Sequence, residues 1–278
     1  MPGARLAVTV LADNEAREGF AAEHGLSLWI EAPGGNVLFD TGAGKALEDN
    51  ARRLGVDLAR TDALVLSHGH YDHTGGLPLA LAATERAHVH LRPEAVLPRY
   101  CVEEGKARPV HMPREAMEAL EALAGERLHW AAEPFQAVPG VWVSGPVPRP
   151  HGDVGPGWPF FLDAEGLRPD PIDDDMALWT DTPEGLVLVL GCCHAGLENT
   201  LEALEVHAPG RPLRAVLGGM HLMHSGPGDI ARAVATLQSR APGLVVPLHC
   251  TGKDAAQALS AAFGERFRQG RAGERLEF

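Results

Sequence analysis

The feature that most constrains this chain is a cluster of three histidines and one aspartate within six residues, His68-Gly69-His70-Tyr71-Asp72-His73. A packed core gains little from neighbouring polar groups that must each be desolvated and satisfied. Neutral imidazole and carboxylate are, by contrast, the ligands that suit zinc, iron and manganese. The residues before the cluster, Ala63-Leu64-Val65-Leu66, read as a buried strand that delivers the chain to Ser67, and a helix is expected to begin near His73. In an extended segment His68 and His70 project to the same side and can share one ion, while Asp72 and His73 lie beyond them and can reach a second. Gly69, Gly75 and Gly76 permit the tight backbone path that this requires.

Short β-like and helical runs alternate on either side of that turn. Strands are expected at 6–11, 26–31, 37–40, 63–67, 87–91, 136–144, 176–180, 186–190, 215–217 and 244–248, and helices at 45–54, 114–123, 197–207, 229–238 and 253–263. Hairpins early and crossovers late imply an α/β fold with mixed sheets covered by helices. At 278 residues one domain spanning 1–278 is the natural reading. Residues 144–175 interrupt the pattern, because Pro146, Pro148, Pro150, Pro156, Pro159, Pro169 and Pro171 block regular hydrogen bonding. A run of that length inside a compact domain reads as an active-site flap.

A net charge of −13 argues against a nucleic-acid partner, which would call for clustered Lys and Arg. A small anionic substrate remains compatible, since metal ions and a few arginines can reverse the field inside a pocket. No segment approaches the roughly 20 apolar residues that span a bilayer, so no membrane partner is expected. Met1-Pro2-Gly3-Ala4-Arg5 runs straight into an alternating segment with no leader pattern, and a cytoplasmic location follows as an expectation. Four irregularly spaced cysteines, Cys101, Cys192, Cys193 and Cys250, suit thiols in a reducing compartment better than a disulfide framework. Nothing in the chain fixes its oligomeric state, and a homo-oligomer is compatible with it.

The run Ser67-His68-Gly69-His70-Tyr71-Asp72-His73-Thr74-Gly75-Gly76-Leu77 resembles the signature of the metallo-β-lactamase superfamily, whose fold is an αββα sandwich of two mixed sheets. Glu23-His24-Gly25-Leu26-Ser27, Leu38-Phe39-Asp40-Thr41-Gly42, Val147-Pro148-Arg149, Asp174-Asp175-Met176-Ala177-Leu178, Gly191-Cys192-Cys193-His194-Ala195-Gly196, Gly218-Gly219-Met220-His221-Leu222 and His249-Cys250-Thr251-Gly252 follow in order. They resemble a branch that includes the archaeal dihydropterin–ribofuranosylaminobenzene phosphate synthase. The resemblance implies two divalent ions, most simply zinc, with manganese or iron as alternatives. It assigns His68 and His70 to the first ion, and Asp72, His73 and His249 to the second. For His249 the sequence adds support, since 244–248 reads as a strand that ends where Gly252 opens a helix.

Two departures matter. The superfamily's bridging aspartate is absent after 186–190, where Gly191-Cys192-Cys193-His194 stands instead. His194 is the favoured replacement ligand, and Cys192, which aligns with the missing residue, is the alternative. A second histidine motif is also missing, and the surroundings of His151 do not supply it. Asp40 is expected to hold a ligand histidine in its tautomer, not to bind metal. His221 is a candidate for substrate contact or proton donation, and Asp72 for orienting the nucleophile. His24 and Arg149 are candidate substrate-binding residues, Arg149 through its planar fork of donors.

These residues point first to a hydrolase that activates water at a dinuclear site against a small, anionic substrate bearing phosphate or carboxylate. The resemblance also implies an alternative, transfer in place of hydrolysis, in which a pterin methyl diphosphate condenses with an aminobenzene ribosyl phosphate and Trp158 or Trp179 stacks the ring. A third reading is a metal-dependent redox or sensor protein with Cys192 and Cys193 as the responsive groups. The superfamily's name does not imply β-lactam hydrolysis.

Overall fold

Strands that are apolar on both faces need cover on both sides, and two sheets packed face to face with helices outside each provide it. In the computed structural model, which describes residues 6–152 and 158–278, the chain begins β1 (Ala7–Ala12), β2 (Ser27–Ala32), β3 (Gly35–Phe39), α1 (Leu47–Leu54) and β4 (Ala63–Val65). It continues α2 (Tyr71–Thr74), α3 (Leu77–Ala83), β5 (His88–Leu91), β6 (Tyr100–Glu103), β7 (Lys106–Pro109), α4 (Arg114–Glu121) and β8 (Leu128–Trp130). Next come β9 (Phe135–Val138), β10 (Val141–Val143), β11 (Phe160–Phe161), β12 (Ala177–Thr182), β13 (Gly185–Leu190) and α5 (Leu197–His207). The chain closes with β14 (Leu213–Gly218), α6 (Pro227–Arg240), β15 (Val245–Pro247), α7 (Lys253–Phe263) and β16 (Arg275–Glu277).

The first sheet has the order β16-β1-β2-β3-β4-β5-β8 and the second β15-β14-β13-β12-β10-β9. Each is antiparallel at one end and parallel at the other, so both are mixed, as expected. The period of two decides which core each residue joins. On β4, Ala63 and Val65 enter the core between the sheets, while Leu64 and Leu66 face α1, α3 and α4. On β13, Val187 and Val189 face inward, while Leu186, Leu188 and Leu190 meet α5, α6 and α7. The result is the αββα sandwich. Its parallel strands β4, β13, β14 and β15 all end at one edge, where the loops after them meet.

The structure corrects several expected elements. The single strand over 136–144 is two, because Pro139-Gly140 turns the chain between β9 and β10, with Gly140 at φ 85°. The helix expected near His73 starts earlier, at Tyr71, with His70 still extended at φ −73° and ψ 148°. The hairpin of β6 and β7 and the short strands β8, β11 and β16 were not anticipated. Within 144–175, β11 pairs with β6 through Phe160↔Cys101 and Phe161↔Tyr100, making a small third sheet with β7. Pro156 and the N-terminal Met1-Pro2-Gly3-Ala4-Arg5 lie outside the described residues. No helix among the described residues is long and apolar enough to cross a membrane.

Candidate active site

The turn after β4 is held in place before any side chain reaches outward. A Cβ on Gly69 would run into the Ala95 carbonyl, and one on Gly191 into the Ser67 hydroxyl, so the two loops can approach only as glycines. The Gly69 N–H donates to Asp174 Oδ2 at 2.7 Å. That carboxylate also accepts from Arg99, whose Nη1 lies 2.8 Å from Oδ2, and the Arg99 Nε lies 2.9 Å from Asp170. Arg99 and Asp174 are fully buried, and the pair joins the histidine turn, the start of β6 and the end of the 144–175 segment. Of the positive-φ non-glycine residues among those described, Asp40 (58°), Cys193 (60°), His221 (49°) and His249 (48°) all sit at this edge. Backbone strain is thus concentrated where the chemistry-bearing residues are.

Acceptors behind the rings fix the tautomers. Asp40 is buried and accepts from the Ser67 N–H and hydroxyl, each at 2.7 Å, and from His73 Nδ1 at 2.7 Å. Because the Ser67 hydroxyl gives its proton to Asp40, its oxygen accepts from His68 Nδ1 at 2.9 Å. Asn14 Oδ1 accepts from His249 Nδ1 at 2.8 Å, and Asp13 Oδ1 accepts the His249 N–H at 2.7 Å. In its neutral form each of these three rings therefore carries its proton on Nδ1 and turns a lone pair on Nε2 toward the others.

Those lone pairs converge. His73 Nε2 lies 3.2 Å from His249 Nε2 and 3.1 Å from Cys192 Sγ, and His68 Nε2 lies 2.9 Å from His70 Nδ1. With both rings neutral, neither member of the His73–His249 contact has a proton on the facing nitrogen, so the approach is not a hydrogen bond between neutral rings. Both His194 nitrogens and His70 Nε2 are buried without a partner among the described residues. Donor atoms group as His68, Cys192 and His194; as His73, Cys192 and His249; and as His24, Asp72 and His249, each set within 4.8 Å. Orphaned lone pairs, imidazole, thiol and carboxylate together fit divalent metal.

The electrostatics of three of the rings agree with that fit. Burial above all, with neighbouring cationic groups adding to it, holds His68, His70 and His194 well below the usual histidine range, and so as neutral ligands. His73 differs: burial opposes its charge, but the adjacent Asp40 carboxylate outweighs burial and pushes His73 up to about 9, so its Nε2 keeps a proton until a cation displaces it. Asp72 is buried, which would raise it, yet its close contacts with the His24 and His249 rings hold it well below the carboxylate range. Burial pushes the Cys192 thiol far up, so a cation is what would ionise it.

Every residue expected to bind metal is drawn into this cluster: His68, His70, Asp72, His73, His194, His249 and Cys192. His24 and His221 line the adjoining cavity of about 370 Å3, with His24 Nε2 3.1 Å from Asp72 Oδ2. The His221 ring lies 4.0 Å from that of Trp158 and 4.2 Å from that of His194. Arg149 does not join them. Its guanidinium donates to the carbonyls of Pro171 and Ile172 at 2.8 and 2.7 Å, tying the 144–175 segment to itself. His151 pairs with Glu202 on α5, Trp179 stacks between Trp142 and His207, and Cys193 is buried against Thr200. Asp13, Asn14, Arg99 and Arg108 are the structural additions that the sequence did not suggest.

The family model of the metallo-beta-lactamase superfamily matches residues 22–189. The chain belongs to the metallo-beta-lactamase superfamily. An uncharacterized protein of Methanocaldococcus jannaschii is 31% identical over 254 residues, covering 91% of this chain and 93% of that relative. From the same organism, 7,8-dihydropterin-6-methyl-4-(beta-D-ribofuranosyl)-aminobenzene-5'-phosphate synthase is 25% identical over 269 residues, covering 93% and 91%. Among solved structures, Tm1679, a metal-dependent hydrolase of the beta-lactamase superfamily, aligns with TM-score 0.84 and 30% identity over 98% of this chain and 99% of that one. Within the superfamily this chain is an enzyme, and the branch drawn from its motifs is supported by the synthase relative.

Proposed function

We propose that this enzyme is a two-metal hydrolase acting on a small anionic molecule. The observation that carries the reading is the position of Cys192. Its sulfur belongs both to the donor set with His68 and His194 and to the set with His73 and His249, so it stands at the vertex where two ions would share a ligand. His70 completes the first set, and Asp72 the second. Two divalent cations, most simply zinc given the imidazole and thiolate donors, would supply an acidified water and polarise the bond under attack.

The chain's own residues do the rest. Asp72 orients the nucleophile, and His24, whose hydrogen bond to Asp72 raises it above the usual histidine range, carries a proton toward the leaving group. His221 faces the cavity with an unpartnered Nδ1 and offers a second polar contact to substrate. A cytoplasmic location, a small-molecule substrate and independence from nucleic acid or membrane belong to the same reading, which the charge of −13 and the cavity size support. A homo-oligomer is compatible with it.

A second reading is transfer to an amine in place of water. The synthase relative suggests it, and one observation favours it: Trp158 stands in the cavity as a plate beside His221 and His194. Elemental analysis of purified protein, followed by turnover of phosphodiesters, lactones, thioesters and pterin diphosphates in 18O-water, tests both. Two metals per chain and 18O in the product are expected. Metal-free protein that keeps full turnover would sink the proposal, and a joined pterin product without 18O would select the second reading.

A further inference from the structure

The cavity beside the candidate metal site has a mostly apolar wall of Val110, Trp158, Pro159, Phe160 and Met223. Trp158 and Phe160 come from the strand pair that joins β11 to β6, with rings edge to face at 6.3 Å. Two polar side chains meet on this wall. Arg108, on β7, and Tyr71 both line the cavity, and the Arg108 charge acts on the Tyr71 hydroxyl. Tyr71 immediately precedes Asp72, so this pair connects the outer wall directly to the metal-binding turn.

Arg108 differs from Arg99 and Arg149 in its partners. Arg99 is engaged with Asp170 and Asp174, and Arg149 with backbone carbonyls and Asp173. Arg108 has no ion pair among the described residues, although Glu103 lines the same wall and the whole chain carries a net charge of −13. An unpaired guanidinium beside an apolar surface is an anion receptor awaiting a planar, multidentate partner.

We infer that Arg108 and Tyr71 form an anion subsite for a substrate with a phosphate or carboxylate at one end and a flat apolar body lying against Trp158 and Phe160. This rests on the proposed two-metal reading for the location of the reacting bond, and it transfers the anion-gripping role that the sequence suggested for Arg149 to a residue on an unanticipated hairpin. The metal site faces one end of the ligand and the guanidinium the other, so substrate length is set by the span between them.

The test uses the full chain, with and without added zinc, and phenylphosphonate, methylphosphonate and benzamide as probes, with binding followed by titration calorimetry and Trp fluorescence. In wild-type protein, phenylphosphonate should bind with chelator present, and Arg108→Gln should weaken it by about ten-fold or more. Arg108→Lys should recover part of that loss, and Tyr71→Phe should cost a few-fold. Methylphosphonate should bind more weakly than phenylphosphonate, and benzamide should be indifferent to Arg108→Gln. Equal affinity of wild type and Arg108→Gln for phenylphosphonate, with unchanged circular dichroism, overturns the anion subsite. Equal affinity for the two phosphonates overturns the apolar half. Metal stoichiometry, measured on the same samples, reports on the two-metal reading separately, because Arg108-dependent binding to chelated protein stands even if no metal is retained.

Discussion

Two groups of histidines occupy this molecule, and their chemistry differs because of what stands behind the rings. At the site, His68, His73 and His249 each lean one nitrogen on Ser67, Asp40 or Asn14, which leaves the other as a lone pair directed at its neighbours. At the edge where β5 and β8 meet β9, His88 Nδ1 and His129 Nε2 pair with each other at 2.7 Å. His90 stacks on His129 at 4.8 Å and 18°, and packs against Phe135 at 4.7 Å. No carboxylate among the described residues orients these rings, and they satisfy or stack upon one another. Three clustered imidazoles are therefore not a metal site by count alone; the acceptors that fix their tautomers make the difference.

The sharpest break in that comparison removes what holds the site's backbone. Asp174→Ala strips the buried Arg99 of its two-pronged partner and leaves it only Asp170, and should cost about 3 kcal/mol of stability by denaturant titration. The triple variant Arg99→Met, Asp170→Asn and Asp174→Leu, which removes all three buried charges, should recover much of that loss, yet metal retention should stay impaired because Gly69 still lacks its acceptor. Next in size, Asp40→Ala should lower metal affinity by about 10–100-fold, read by competition with a chromophoric chelator, since His73 loses its fixed tautomer. Unchanged affinity would erase the distinction drawn between the two groups.

The matching change on the other side should do little. His129→Ala should leave metal content and turnover unaltered and shift stability by less than about 1 kcal/mol, since the site is partly exposed. The same cluster carries a pH effect at His90, which burial and then the nearby His129 and His88 depress to about 4. Its folded value lies below the unfolded one, so the unfolded state binds more protons between about 6.5 and 4. Stability from this group is complete above that window and is lost as pH falls through it. His90→Gln should flatten that slope in denaturation midpoints, and an unaltered slope would assign the acid sensitivity elsewhere.

Much of this contrast was legible in the sequence where the signal was local. The turn after β4 announces itself through residue types that no core explains, and α5 and α7 run over the residues their periodicity marks. Asp13 and Asn14 could not be read, because they reach His249 across 236 and 235 residues, a separation that leaves no local pattern. The β6–β7 hairpin was missed since its exposed β7 has no alternating apolar face; Glu104-Gly105, both at positive φ, was the signal available. Arg149 looked like a ligand-binding residue because its neighbours in sequence resemble a motif, whereas the carbonyls that occupy its donors come from the far end of the same segment.

The union of β11 with β6 spans only two residue pairs, and the segments it joins are separate excursions from the sandwich. Neither excursion supplies a metal-binding ring. New specificities could thus arise by lengthening, shortening or re-lettering these two inserts, while the reactive centre beneath them is inherited without alteration.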